Sequence, residues 1–179
     1  MDSLYIKNIE IVKSVLLIAV PYLLLGALFG KLFSEAGGAS LGSTLMAIFT
    51  FAGTSQFVAL EYLKSDYIIL FVIIFVINVR HIAYVLDCRK EIGDNGVASI
   101  YLCLTMTDEN YSLLKIFKQK KIIPSTKQLC LMFFCTHCFW IVGCYLGTLI
   151  ASDITLKGVD FILISLFGII LTNSLLDLR

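Results

Sequence analysis

Charge is scarce in this sequence: only 15% of its 179 residues are Asp, Glu, Lys or Arg, against about a quarter in a soluble domain. That shortage excludes an ordinary water-facing exterior. Histidine occurs twice, proline twice and tryptophan once. Two histidines make a poor metal centre, and no His-Glu-x-x-His or paired-aspartate motif is present, so neither an enzyme nor a bound cofactor is expected. There is no long basic face with interleaved aromatics. The net charge of +1 comes with lysines gathered in one short stretch, Lys115 to Lys127, and nucleic-acid binding is excluded on that ground. Six cysteines sit in apolar runs, where a thiol behaves as a small hydrophobe and a disulfide framework is not indicated. The tightest spacing, Cys135-Thr-His-Cys138, lacks a second ligand pair and reads as helix packing, with no metal site.

What is abundant is apolar: 59% of the chain. A bilayer accepts such a surface where water would not. The fold class expected is all-α, a polytopic transmembrane helical bundle of about six spans in one domain over residues 1–179. A crossing helix needs about 20 apolar residues. The stretches that supply them run from about Val12 to Phe33, Thr44 to Leu63, Tyr67 to Leu86, Val97 to Phe117, Leu129 to Ile150 and Phe161 to Leu176. The first reads as a retained span, with no cleavage site after it. With a cytoplasmic N-terminus, six crossings place nine Lys and Arg inside and four outside, which favours N-in, C-in. In that count Lys64 lies inside, and Arg89 and Lys90 outside. Gly26 with Gly30 and Gly143 with Gly147 have the G-x-x-x-G spacing that lets helices approach closely, as a subunit interface or an intrachain crossing.

Polar residues inside these runs need partners or a water-filled cavity. The first group is Gly53, Thr54, Ser55 and Gln56, mid-way along the second run. Glycine beside three hydrogen-bonding residues suits an unwound segment whose freed backbone groups hold a polar ligand; the alternative is a continuous helix with Thr and Ser bonded back to their own carbonyls. The second group is Asn78, Arg80 and His81. Only about 14 residues separate Tyr67 from Arg80, too few to finish a crossing, which favours burial over an interfacial ending. The third group is Thr107, Asp108 and Glu109, preceded by about ten apolar residues. Either two carboxylates sit within the membrane or a half-helix ends there at a cavity; a solvated acidic face is the alternative. A carboxylate beside Arg80 at such a depth is the adjustable group that a proton-coupled carrier needs.

These groups, with Pro21 to Phe29, Phe51-Ala-Gly-Thr-Ser-Gln-Phe-Val-Ala, Ile77-Asn-Val-Arg-His-Ile-Ala-Tyr, Leu104-Thr-Met-Thr-Asp-Glu, Trp140 with Gly147-Thr, and Gly158-Val-Asp-Phe, resemble the AzlC-type permeases of the azaleucine-resistance family. The resemblance covers nearly the whole chain. It implies export of branched-chain and other apolar amino acids by a multi-pass protein of the cell (cytoplasmic) membrane, working with a small AzlD-type membrane subunit. Gly53 to Gln56, Asn78, Arg80, His81 and Thr107 fall on the family motifs and are the expected substrate-binding residues, with Asp108 and Glu109 expected to couple protons. Family members usually continue past the sixth segment, whereas this sequence ends at Arg179; the expectation is that a partner chain supplies the further helices, with a truncated or divergent member as the alternative, and a homo-oligomer is a further candidate partner. A channel or scaffolding subunit without carrier activity is the alternative reading.

Overall fold

The computed structural model describes residues 2–62 and 67–150; the sixth predicted span lies outside the described residues. Every regular element among the described residues is helical. Three helices are long and apolar enough to cross a membrane: Ile11–Glu35 of α1 (Asp2–Glu35), α4 (Tyr67–Asp87) and α8 (Thr126–Thr148). The second and fourth predicted runs are each split in two. Thr44 to Leu63 becomes α2 (Ser40–Thr50) and α3 (Gly53–Tyr62), and Val97 to Phe117 becomes α6 (Val97–Leu104) and α7 (Asp108–Gln119). A short α5 (Arg89–Ile92) and a glycine turn precede α6.

The core is the crossing of α1 with α8. A Cβ on Gly26 would lie 2.8 Å from the Trp140 carbonyl oxygen, and one on Gly143 would lie 2.5 Å from that of Leu23. Gly30 and Gly147 are tighter still, against the carbonyls of Cys144 and Ala27. Both G-x-x-x-G pairs thus meet each other within one chain. The contacts advance together along both helices, so α1 and α8 run parallel. Around them Phe29, Met132, Phe133 and Trp140 are buried.

The two split runs fold back on themselves. Along the first, Phe33 packs on Gly38 and Gly42 near the end of α1, Phe51 meets Tyr22 at 5.9 Å, and Phe57 has returned to Phe29 at 5.6 Å (ring centroids). Only four residues join α3 to α4, and at about 3.5 Å each they cannot recross a membrane. In the second, Asn95 donates to Thr126 Oγ1 at 3.0 Å where α8 begins, Tyr101 lies beside Cys130 and Phe134, and Thr107 reaches Tyr22. From there α7 turns back and keeps step with α4. Arg80 pairs with Asp108, Tyr84 stacks on Tyr111, Asp87 pairs with Lys115 and Glu91 with Lys118.

The helix breaks therefore fall where the sequence suggests, but the halves do not continue across. Each has 8–12 residues, a rise of about 12–18 Å against about 30 Å of hydrocarbon. The described residues form three crossing helices with two helical hairpins entering from opposite ends. This revises the loop assignment: Arg89 and Lys90 share an end with Lys115 to Lys127 and the start of α1, while Lys64 lies outside the described residues.

Candidate functional site

The two hairpin tips meet at the level of Tyr22 and Trp140. At the first tip, Phe51 and Ala52 are non-helical and α3 restarts at Gly53. The first amide of this helix to be satisfied by its own backbone is Gln56 N–H, on the Ala52 carbonyl at 3.0 Å. The preceding amides of Gly53, Thr54 and Ser55 are the orphan donors of a helix start, where backbone dipoles favour negative charge. Glycine fits closely at 53: a Cβ there would lie 3.0 Å from the Trp140 ring, which would have to give by a few tenths of an ångström. At the second tip Thr107 caps α7, its hydroxyl accepting from Asn110 N–H at 3.3 Å, and Asp108 and Glu109 form the first turn.

One cation joins the tips. Arg80, from α4, reaches Asp108 Oδ2 at 3.0 Å and donates to Thr54 Oγ1 at 3.3 Å. Its Nε and the Asp108 Oδ1 are buried without a protein partner. Glu109 is held differently: the Tyr22 hydroxyl, itself buried, lies 2.6 Å from Glu109 Oε2 and 2.8 Å from Thr107 Oγ1. Between these groups is a cavity of about 260 Å³, polar on the side of Arg80, Asp108 and Glu109 and apolar on the side of Leu25, Phe57 and Trp140.

Of the ten residues singled out in the sequence, seven line this cavity: Gly53, Thr54, Arg80, His81, Thr107, Asp108 and Glu109. The other three stand behind it. Ser55 is buried and accepts from Asn78 Nδ2 at 2.8 Å, and Gln56 is fully buried with Oε1 accepting from Trp140 Nε1 at 2.8 Å. Tyr22 and Trp140 are not among the residues that the sequence singled out for the site. A hydroxyl next to Pro21 in mid-helix, away from either membrane interface, was the available signal for Tyr22; nothing in the sequence pairs Trp140 with Gln56.

The family model described as AzlC protein matches residues 17–154. This chain belongs to the AzlC family. The matched range takes in both hairpins, Arg80 and the α1–α8 crossing. Among relatives, an uncharacterized membrane protein of Helicobacter pylori is 29% identical over 154 residues, 84% of this chain and 68% of that protein. An uncharacterized membrane protein of Haemophilus influenzae is 30% identical over 161 residues, 86% and 65% of the two chains. The branched-chain amino acid transport protein AzlC of Bacillus subtilis is 26% identical over 156 residues, 83% and 60%. This AzlC-family chain thus spans about two thirds of the length of the relatives it matches, and no solved structure matches it.

Proposed function

We propose that this chain is the membrane-embedded subunit of a secondary transporter that exports branched-chain and other apolar amino acids from the cell, coupled to protons and completed by a small AzlD-type membrane subunit. The observation that carries the reading is the gathering of both signs of charge at one small cavity. Orphan amides of α3 and the Arg80 guanidinium form one set and Asp108 and Glu109 the other, with aromatic and aliphatic walls facing them. An amino acid's carboxylate suits the first set and its ammonium the second, at the Asp108 Oδ1 that has no protein partner. The volume suits one amino acid, lying just below the roughly 300–1,000 Å³ of drug-sized sites. The name of the Bacillus subtilis relative, a branched-chain amino acid transport protein, supports the substrate class.

The walls supply modest selectivity. Burying a leucine-sized side chain contributes about 1.5–3 kcal/mol and one methylene about 0.8 kcal/mol, so leucine, isoleucine and valine compete for the site. Asp108 has Arg80 as a counter-charge, whereas Glu109 lies against the neutral hydroxyl of Tyr22 and in the first turn of its own helix. Glu109 is therefore assigned the coupling proton and Asp108 the substrate ammonium. Orientation in the cell membrane follows from the revised loops. Among the described residues, the end where α1 starts carries Lys7, Lys13, Arg89, Lys90 and the five lysines from Lys115 to Lys127, against Lys31 at the other end. That end is the cytoplasmic one by the excess of positive charge.

The reading is tested by efflux of radiolabelled leucine from preloaded vesicles, with and without the partner subunit and an imposed pH gradient. Saturable efflux, competed by isoleucine and valine and lost in Glu109→Gln, is expected. No saturable efflux under any of these conditions would sink it.

A further inference from the structure

The two hairpins are built alike. Each follows a crossing helix and enters from the end that the helix has just reached: α1 then α2–α3 from one end, α4 then α6–α7 from the other. The two units consequently run in opposite senses, the arrangement of an inverted-topology repeat. Aligning the tips so that Gln56 matches Asn110, both fully buried amides, places Thr54 on Asp108 and Ser55 on Glu109. The contacts obey this alignment. Arg80 touches both members of the first pair. The second pair is held crosswise, Asn78 of the second unit donating to Ser55 at 2.8 Å and Tyr22 of the first unit donating to Glu109 at 2.6 Å. Tyr22 precedes its own unit's buried amide by 34 residues and Asn78 precedes its own by 32.

We infer that Asn78 and Tyr22 are equivalent positioning residues of an inverted repeat, each holding closed the hairpin of the other unit, so that they control access to the cavity from opposite membrane faces. The first hairpin fills the path between the cavity and the end where α1 finishes. Losing Asn78–Ser55 frees that tip on one side. The second hairpin fills the path from the end where α1 starts, and losing Tyr22–Glu109 frees the other side. Arg80, bonded to both tips, holds the two closed together here. A solute that takes over Asp108 or the amides beside Thr54 loosens this tether at one tip, which links occupancy of the proposed amino-acid site to opening.

The test needs no solute, so it can fail while the transport reading stands, and the reverse. In a chain whose six free cysteines are replaced, Leu25 on the cavity wall is changed to Cys as the reporter. A membrane-impermeant thiosulfonate is then applied to right-side-out and to inside-out vesicles. Asn78→Ala is expected to raise the labelling rate about fivefold from one face, the effect of losing one ordinary hydrogen bond, and Tyr22→Phe to raise it by at least as much from the opposite face. Ser55→Ala should reproduce Asn78→Ala from the other partner's side. Increases from the same face, no increase in either variant, or a Ser55→Ala chain that labels like the parent would each overturn the inference.

Discussion

Arg80 holds the site together and is its most informative residue. Its fork reaches Asp108 in one hairpin and Thr54 in the other, which a lysine ammonium cannot reproduce with the same planar geometry. Arg80→Gln leaves Asp108 as an uncompensated carboxylate among membrane-facing helices, a costly arrangement, whereas Arg80→Gln with Asp108→Asn removes both charges. The double variant is therefore expected to be more stable in detergent than either single one, and equally dead in leucine efflux. A thermal-unfolding midpoint for the pair at or below that of the worse single variant would show that the two side chains do not depend on each other. The polar groups of this site were legible because a Thr, Arg or Asp inside an apolar run is conspicuous on energetic grounds alone. Ser55, Gln56 and Asn78 were legible as polar but not as supports behind the cavity, since only the fold shows that Gln56 faces the Trp140 indole and Ser55 faces Asn78. Tyr22 was missed because an aromatic in a membrane helix is ordinarily packing, and its partner Glu109 lies 87 residues away.

At the scale of elements, the parallel crossing of α1 and α8 is the one long contact in which backbone meets backbone. Glycine is enforced there by geometry. A side chain at Gly147 would overlap the Ala27 carbonyl and one at Gly143 the Leu23 carbonyl, neither of which can move aside as a flexible side chain could. Gly147→Val is expected to separate the helices and abolish recovery of a monodisperse protein. Gly42→Ala serves as the contrast, because its Cβ would meet only the Phe33 ring at 3.2 Å, a side chain able to rotate; yield and elution profile in detergent compare the two directly. The sequence shows both G-x-x-x-G spacings but cannot say that they pair with one another. The first and fifth apolar runs travel the same way whether the second and fourth cross or return, so only the fold shows that the two spacings meet. The helix breaks were legible for a different reason: Gly53 beside Thr and Ser, and Thr107 followed by two carboxylates, are a poor helix interior and a good helix start.

For the whole molecule, hydropathy alone cannot distinguish a broken helix that crosses from a hairpin that returns, because both bury the same apolar residues and both need the same polar tip. What separates them is where the connections end up. If Val97 to Phe117 crossed, the turn at Gly93 to Gly96 and the loop at Lys120 to Pro124 would face opposite compartments. Here they share one end, fixed by Glu91 with Lys118, Asp87 with Lys115, and Asn95 with Thr126. Single cysteines at Asn95 and at Ile123, in the chain cleared of its native cysteines, are therefore expected to react with an impermeant maleimide from the same side, while one at Gly37 reacts from the other. Both loops should label only in inside-out vesicles, because among the described residues nine cationic residues at that end against one at the other favour the cytoplasm. Labelling of Asn95 and Ile123 from opposite sides would restore a fourth crossing and take away the inverted repeat with it. Labelling of both from the outer face would keep the hairpins and reverse the direction in which the cavity opens.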